Sequence, residues 1–373
     1  MPVGISFYTF QALSYTIDVY RGEVSVEKNL AKYALFVSFF PQLVAGPIER
    51  SKDLLPQIHQ RHYFNFSRIK DGFLLMLWGY FEKMVIADRV AILVNTVYAN
   101  WQNYVGFQIV IATFFFAIQI YCDFSGYSHI AKGAAQVLGF KLVDNFAEPY
   151  LATSIKDFWR RWHISLCTWL RDYVYIPLGG SHCSKIKKYR NVMITFLISG
   201  LWHGASWHFV VWGGLHGMYN VIGDALKSVR MKFLKLFHVR TEPISFKIGQ
   251  ILVTFIFVNL AWIFFRADNC QVAISLIKQM FKEFNIWILF DRTSIYQMGL
   301  DEIEFKIAVV SIIILYISNI ISYVKPKTTI RIIIENQNLV FQYVFYMVAI
   351  FYILIFGIYG PEYNPASFIY FQF

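Results

Sequence analysis

NVMITFLISGLWHGASWHFVVWGGLHGMYNVIG, residues 191–223, is the stretch that decides the fold, because it contains 33 residues without a formal charge. One straight helix of that length would be about 50 Å long at ~1.5 Å per residue, whereas the hydrocarbon core of a bilayer is ~30 Å thick. Four basic residues within 185–190 precede the stretch, and five within 227–240 follow it. Because basic flanks favour the cytoplasmic side, we expect a re-entrant or paired-helix segment whose turn lies near 204–207.

The composition of the chain places this hairpin in a membrane protein. Of 373 residues, 57% are apolar and 15% are charged, against ~45–50% and ~25% in soluble domains. A soluble fold would lack the polar residues that cover an exterior. We therefore predict an all-α polytopic membrane protein with a single domain, 1–373, and no cleavable signal peptide. Charge-free windows predict spanning helices at 33–48, 105–121, 248–265, 307–324 and 336–359, while 72–97 would also span although it contains four charged residues.

The net charge of +11 is interpreted as a property of cytoplasmic loops. The basic residues lie in short loops between apolar runs, which is typical of the positive-inside tendency and not of a nucleic-acid site. The four cysteines form no Cys-x-x-Cys pair, and no zinc spacing, phosphate loop or dinucleotide motif is present. We expect no nucleic-acid partner, no metal site and no permanently bound cofactor.

Residues 153–180, TSIKDFWRRWHISLCTWLRDYVYIPLGG, alternate aromatic and charged side chains. Trp159, Trp162 and Trp169 suit a headgroup interface, where indole rings are half wet and neighbouring guanidinium groups reach phosphates. We interpret this stretch as interfacial amphipathic helices that lie along the membrane.

Two histidines of the uncharged stretch are candidates for chemistry. His203 lies in Leu-Trp-His-Gly at the predicted turn, and His216 lies in Gly-Leu-His-Gly. Ionisable side chains inside membrane segments are costly and usually face a cavity, and imidazole accepts and returns a proton near neutral pH. His203 therefore fits a general base acting on a hydroxyl, and Gly204 permits close approach of a ligand. A buried histidine held only for packing explains the same pattern, and this alternative stays open.

Other polar residues in apolar surroundings are weaker candidates. Asp123 lies in YCDFSG at 121–126. Three interpretations stay open for it: it orients a histidine, it binds a substrate hydroxyl, or it caps the following helix. His208 lacks small neighbours, and His163 is assigned to the interface. No Gly-x-Ser-x-Gly motif indicates a serine nucleophile.

Seven stretches in order between residues 2 and 268 carry a family resemblance. They are PVGISFYTFQALSYTIDVYRG at 2–22, FFPQLVAGPIER at 39–50, GYFEKMVIADRVA at 79–91, YCDFSGYSHIAKGAAQVLGFKLVDNFAEPY at 121–150, SIKDFWRRWHISLCTWLRDYVYIPLGG at 154–180, SGLWHGASWHFVVWGGLHG at 199–217 and VNLAWIFFRAD at 258–268. In these stretches the chain resembles the membrane-bound O-acyltransferase (MBOAT) family, in particular its bacterial alginate O-acetyltransferase branch. After residue 268 the match is limited to apolar character.

The resemblance implies an MBOAT fold, with transmembrane helices around a central funnel or tunnel, in a bacterial cytoplasmic membrane. It implies an O-acyltransferase that takes an acetyl group from acetyl-CoA on the cytoplasmic side. The acetyl group passes to a hydroxyl of an exopolysaccharide or cell-wall glycan, directly or through a partner extracytoplasmic acetyltransferase. Membrane lipid, acetyl-CoA, the glycan acceptor and that partner enzyme are therefore the expected partners.

The resemblance also assigns roles to six residues. The essential histidine of the family corresponds to His203. The guanidinium groups of Arg160 and Arg161 suit the phosphates of CoA. The assigned residues are His203, His216 and Asp123 for catalysis and Trp159, Arg160 and Arg161 for donor binding.

Three departures from the family pattern stand out. The family begins well before Pro2, so we expect this chain to lack the N-terminal helices of the family. His129 stands where the branch commonly has aspartate, and Cys167 stands where it commonly has serine.

Three other functions compete with polysaccharide acetylation. D-alanyl transfer to teichoic acid is the task of a sister branch, and the alginate-type motifs argue against it. A transporter or export channel would show inverted repeats and paired broken helices, which the sequence does not show. A non-catalytic partner subunit is disfavoured by the intact His203.

Overall fold

The computed structural model describes residues 4–44, 46–282, 284–326 and 328–359. Every regular element in these ranges is helical, which confirms the predicted all-α class. The α-helices are α1 (Ile5–Tyr20), α2 (Leu30–Val37), α3 (Ser51–His59), α4 (Phe66–Tyr80), α5 (Asp88–Ala99), α6 (Gly106–Leu138), α7 (Ile155–Arg161), α8 (Ile164–Leu170), α9 (Lys185–His203), α10 (Trp207–Ala225), α11 (Lys227–Leu236), α12 (Ile244–Arg266), α13 (Cys270–Lys282), α14 (Arg292–Tyr296), α15 (Glu302–Val324), α16 (Ile330–Glu335) and α17 (Leu339–Phe356). Two π-helical turns, Phe81–Ala87 and Arg171–Tyr175, and three short 3₁₀ turns complete the described elements.

Among the described residues, four helices are long and apolar enough to cross a membrane, and they are α6, α12, α15 and α17. Each of them coincides with a predicted window, at 105–121, 248–265, 307–324 or 336–359. The polytopic membrane class predicted from the sequence is therefore confirmed.

The window 33–48 is not a spanning helix, contrary to the prediction. α2 ends at Val37, and Ser38 leaves helical geometry with φ −101° and ψ 18°. Pro41 follows, and a proline disfavours helical geometry in the residue before it. Phe39 instead packs into a small apolar cluster with residues of α3.

The chain forms two compact units. The first consists of Met1–Ala91, Ile118–Asn145 and Glu302–Phe373, and the second consists of Ile92–Ala117 and Phe146–Asp301. Helices α5 and α6 each pass from one unit into the other. Each unit is therefore assembled from stretches that are distant in sequence.

In the first unit, glycines let α4 and α6 pack at backbone distance. A Cβ on Gly79 would lie 2.6 Å from the carbonyl oxygen of Gly126, and a Cβ on Gly72 would lie 2.8 Å from that of Gly133. Small residues at such positions permit the closest approach of two membrane helices. A Cβ on Gly126 would also lie 3.1 Å from the backbone nitrogen of Lys83. The turn Phe81–Ala87 therefore lies against the interior of α6.

In the second unit, the uncharged stretch 191–223 lies in two antiparallel helices. α9 and α10 have 19 residues each, or about 28 Å, and residues 204–206 join them. A Cβ on Gly200 would lie 2.3 Å from the carbonyl oxygen of Phe209, and a Cβ on Gly213 equally close to that of Phe196. The glycines thus hold the two helices in backbone contact and place His203 at the turn.

The tryptophans of 153–180 are buried in the second unit, so the expectation of half-wet rings is wrong. Trp159, Trp162 and Trp169 are 9%, 2% and 6% exposed. Trp162 stacks on Phe158 with ring centroids 5.5 Å apart. The alternation of aromatic and charged residues arises here because the short helices α7 and α8 turn their aromatic side chains inward. The placement of this segment along the membrane stays a prediction.

Candidate active site

His203 is the last residue of α9 and is 7% exposed. Its ring makes edge-to-face contacts with Trp202, Trp212 and Phe265, with centroid distances of 4.8, 5.0 and 5.1 Å. A Cβ on Gly204 would lie 2.6 Å from a ring carbon of Phe209. The small residue predicted to admit a ligand therefore admits a phenyl ring, which helps to shield the imidazole from solvent.

His216 lies on α10, is fully buried and has a defined hydrogen-bond partner. The indole Nε1–H of Trp159 donates to its Nδ1 across 3.2 Å. Because an indole nitrogen only donates, Nδ1 acts as the acceptor and the neutral imidazole carries its proton on Nε2. This Nε2 is buried and has no hydrogen-bond partner among the described residues. A buried N–H of this kind costs ~1–3 kcal/mol unless a ligand or water receives it.

Trp212 lies between the two histidines. Its ring centroid is 5.0 Å from that of His203 and 5.2 Å from that of His216. The second unit thus brings together three of the residues assigned from the sequence. We call His203, His216, Trp159 and Trp212 the histidine cluster.

His163 was assigned to the interface, but it is 1% exposed and lies beside the histidine cluster. Its ring centroid lies 5.9 Å from that of Trp202, whose own ring centroid lies 4.8 Å from that of His203. Its φ of 43° is uncommon for a residue other than glycine, and such strain is found preferentially at functional sites. In the sequence, the feature that could have marked His163 as a site residue is its position in the stretch 154–180, which resembles the family.

A cavity of about 450 Å³ lies along α7, α8, α9 and α10, and we call it the donor-side cavity. Four of its described lining residues are basic, and they are Lys156, Arg160, Arg171 and Lys188. Trp159 and Ser199 also line it, and Ser199 precedes His203 by one helical turn. Lys188 pairs with Asp224 at 2.8 Å. The donor-side cavity therefore runs along about 16 Å of α9, between Lys188 and the turn below His203.

The structure separates the two arginines assigned to donor binding. Arg160 lines the donor-side cavity. Arg161 donates from Nε to Oδ1 of Asp157 at 3.0 Å and from Nη1 to the carbonyl oxygen of Ala147 at 3.1 Å. Arg160 is therefore available to a phosphate, while the fork of Arg161 serves contacts within the protein.

Asp123 lies in the first unit, in the interior of α6, so the interpretation as a helix cap is wrong. Its Oδ1 is 2.5 Å from Nζ of Lys83, which also lies 2.7 Å from Oδ1 of Asp88. The side chains of Lys83, Asp88 and Asp123 are 13%, 8% and 3% exposed. Asp123 is thus one of two carboxylates that neutralise a mostly buried lysine.

The neighbouring pair Glu82 and His129 accounts for one departure from the family pattern. Nδ1 of His129 lies 2.7 Å from Oε2 of Glu82, whose side chain is 1% exposed. An aspartate at position 129 would place a like charge against this buried carboxylate. Histidine instead offers a hydrogen-bond donor.

The comparisons with known proteins agree with this architecture. The model of the MBOAT, membrane-bound O-acyltransferase family, matches residues 5–266. The chain is 42% identical over 289 residues to the probable alginate O-acetylase AlgI of Pseudomonas aeruginosa, which covers 78% of this chain and 53% of that protein. It is 38% identical over 306 residues to the peptidoglycan O-acetyltransferase of Helicobacter pylori, with 75% and 56% covered. It is 29% identical over 237 residues to the teichoic acid D-alanyltransferase of Streptococcus thermophilus, with 60% and 57% covered.

The chain spans about half the length of the curated relatives that it matches. The matched region contains α7, α9 and α10 and thus the whole histidine cluster. The family model covers most of the chain, which confirms the resemblance seen in its motifs. The chain therefore belongs to the membrane-bound O-acyltransferase family.

Proposed function

We propose that the chain transfers an acetyl group from acetyl-CoA, on the cytoplasmic side of a bacterial cell membrane, to a hydroxyl of an extracytoplasmic glycan. The observation that carries this proposal is the position of Ser199, which lines the basic donor-side cavity one helical turn before His203. The opposite end of the cavity, at Lys188 and Asp224, adjoins the basic flanks that favour the cytoplasm.

The basic residues of the donor-side cavity suit the phosphates of the donor. Guanidinium groups bind phosphate oxygens through paired hydrogen bonds, and Arg160 is the arginine of the assigned pair that lines the cavity. The apolar side chains of Trp159 and Phe196, which also line the cavity, suit the uncharged arm of the donor that carries the thioester.

His203 is proposed as the general base. It removes the proton from the acceptor hydroxyl as the oxygen attacks the thioester carbon, so that a carbon–oxygen bond forms and the carbon–sulfur bond breaks. The proton held by His203 then passes to the leaving thiolate. A thioester is already activated, so a base and correct positioning are sufficient for the reaction.

His216 is proposed as a hydrogen-bond donor and not as a second base. Its acceptor nitrogen is occupied by Trp159, and its Nε2–H is buried without a partner among the described residues. Such an N–H suits the negative oxygen that develops on the thioester carbonyl. Asp123 is proposed to stabilise the fold of the first unit, by pairing with Lys83, and not to take part in the reaction itself.

Identifying the acid released from surface glycan by mild alkali tests the function. Ester-linked acetate that disappears when the gene is deleted and returns with the gene supports the proposal. D-alanine lost in its place would favour the function named for the relative at 29% identity. No change in either acid would favour an export or partner subunit without catalytic activity.

The acceptor is proposed to be an exopolysaccharide or a cell-wall glycan. The relatives named above act, by their names, on alginate and on peptidoglycan. The transfer is direct or passes through a partner extracytoplasmic acetyltransferase. Acetylation by the purified chain of isolated glycan from the same cells would distinguish the direct route.

A further inference from the structure

A second cavity, of about 380 Å³, lies in the second unit, and none of its described lining residues belongs to the histidine cluster; we call it the outer cavity. It is formed by residues 103–108, at the start of α6, and by residues 285–297. The second of these segments follows residue 266, where the match to the family model ends. Its size is within the range of ~300–1,000 Å³ that is usual for small-ligand sites.

The charge pattern around α12 places the outer cavity on the extracytoplasmic side. Five basic residues within 227–240 precede α12, whose 23 residues are enough to cross a bilayer. Its end at Arg266, and the segment 267–301 that follows, then lie outside. His203 contacts Phe265 near the same end of α12. The outer cavity and the proposed base are therefore predicted to face the same compartment.

The walls of the outer cavity are fixed by hydrogen bonds between its two segments. Gln108, which is 7% exposed, donates from Nε2 to the carbonyl oxygen of Ser294 at 2.9 Å and accepts the backbone N–H of Val105 at 3.1 Å. The hydroxyl of Tyr104 donates to the carbonyl oxygen of Gln297 at 3.3 Å. A Cβ on Gly106 would lie 2.5 Å from two backbone oxygens of α13. The cavity is thus formed before any ligand arrives.

The side chains of the outer cavity differ in chemistry from those of the donor-side cavity. Asn103, Asn285 and Gln297 contribute amides, which both donate and accept hydrogen bonds, as the hydroxyl groups of sugars require. Trp287 is 72% exposed and offers an aromatic face to the apolar side of a sugar ring. Among the described lining residues, Asp291 is the one with a formal charge. A phosphate or a uronate would meet this carboxylate as a like charge.

We propose that the outer cavity binds a short segment of a neutral glycan. The identification of that glycan as the acyl acceptor rests on the proposed function, whereas the binding itself does not. An exposed tryptophan on the outer side also suits a lipid headgroup, so a headgroup analogue is one arm of the test.

The test is a binding titration of the purified full chain in lipid nanodiscs, followed by saturation-transfer NMR. The probes are neutral gluco- and N-acetylglucosamine oligosaccharides, an oligouronate and glycerophosphoglycerol. Trp287→Ala and Asn103→Ala are compared with Trp207→Ala, which removes a similarly exposed tryptophan (77%) outside the cavity. Circular dichroism and size exclusion confirm that each variant is folded.

We expect saturable binding of a neutral oligosaccharide that weakens at least ~10-fold, or ~1.4 kcal/mol, in Trp287→Ala and Asn103→Ala. Trp207→Ala should bind as the wild type does. Preference for the oligouronate or for glycerophosphoglycerol, absence of any oligosaccharide binding, or an equal loss in Trp207→Ala would overturn the proposal.

Consumption of acetyl-CoA with a small soluble alcohol as acceptor, measured in the same preparation, separates this inference from the proposed function. A chain that binds the neutral oligosaccharide without consuming acetyl-CoA would overturn the proposed function and support the cavity assignment. A chain that consumes acetyl-CoA and binds no oligosaccharide would overturn the cavity assignment alone.

Discussion

The indole of Trp159 donates a hydrogen bond to Nδ1 of His216, and the same indole forms part of the wall of the donor-side cavity. One side chain therefore contacts the proposed donor site and sets the tautomer of a buried histidine. A shift of this indole would therefore change both the cavity wall and the hydrogen bond to His216.

Replacing Trp159 by phenylalanine should keep the aromatic packing and remove the donor. We expect His216 to lose its preference for the Nε2–H tautomer and acyl transfer to fall roughly 10-fold, because an oriented hydrogen bond is worth ~1–3 kcal/mol. Nitrogen-15 NMR of histidine-labelled protein reports the tautomer, and a transfer assay reports the rate. Trp169→Phe is the control, since that ring packs on Tyr173 at 4.8 Å. If neither the tautomer of His216 nor the transfer rate changed, the proposed role of Trp159 in orienting His216 would be contradicted.

Arg160 and Arg161 should behave differently although they are neighbours. Arg160→Ala is expected to raise the KM for the acyl donor about 10-fold with little change in kcat, because it removes a phosphate contact made throughout the reaction. Arg161→Ala should leave KM unchanged and cost up to ~1 kcal/mol of stability, since its pair with Asp157 is partly exposed. An equal rise of KM in both variants would contradict the assignment.

Asp123 is predicted to be a structural residue of the first unit. Asp123→Asn and Asp88→Asn each leave Lys83 with one carboxylate, so both should lower the free energy of unfolding by about 1–3 kcal/mol. Thermal unfolding in detergent measures this effect. If Asp123→Asn lost acyl transfer at unchanged stability while Asp88→Asn retained it, Asp123 would be a catalytic residue and this interpretation would fail.

The carboxyl of Glu49 should make stability depend on pH. It is 1% exposed, accepts the backbone N–H of Val143 at 2.7 Å, and has its second oxygen buried without a partner among the described residues. Burial raises its pKa from 4.5 to about 7. The unfolded chain releases this proton near pH 4.5 and the folded protein near pH 7. The contribution to stability is therefore fully present below pH 4.5 and is lost as pH rises to about 7, by roughly 3 kcal/mol.

Glu49→Gln should remove this dependence of stability on pH, because the amide still accepts the backbone N–H of Val143 and does not ionise. Melting temperatures between pH 4.5 and 8.5 compare the two proteins, with Glu23→Gln as the control at an exposed carboxyl. A slope that persists in Glu49→Gln would assign the pH dependence to another group.

The parts of the fold that local patterns encode could be predicted from the sequence. The charge flanks of 191–223 indicated a hairpin with His203 at its turn, and hydropathy identified the four apolar helices. The window 33–48 failed because hydropathy does not register the effect of Pro41 on helix geometry.

Contacts between distant residues could not be predicted in this way. Lys83 and Asp123 are 40 positions apart, and the glycine contacts between α4 and α6 bring them together. The inward-facing tryptophans of 153–180 have the same sequence pattern as an interfacial belt. The position of His163 depends on a backbone φ of 43° that no pattern in the sequence reports.

The most direct test of His203 as the base is the ester-linked acetate on surface glycan of a gene-deleted strain carrying wild-type, His203→Gln or His208→Gln protein at equal membrane abundance. His208 is the matched control, because its Nδ1 lies 3.0 Å from the carbonyl oxygen of Phe264. Loss of a general base costs ~10²–10⁴ in rate, so His203→Gln should restore less than about 1% of the acetate, while His208→Gln restores most of it. Full acetylation by His203→Gln would contradict the account.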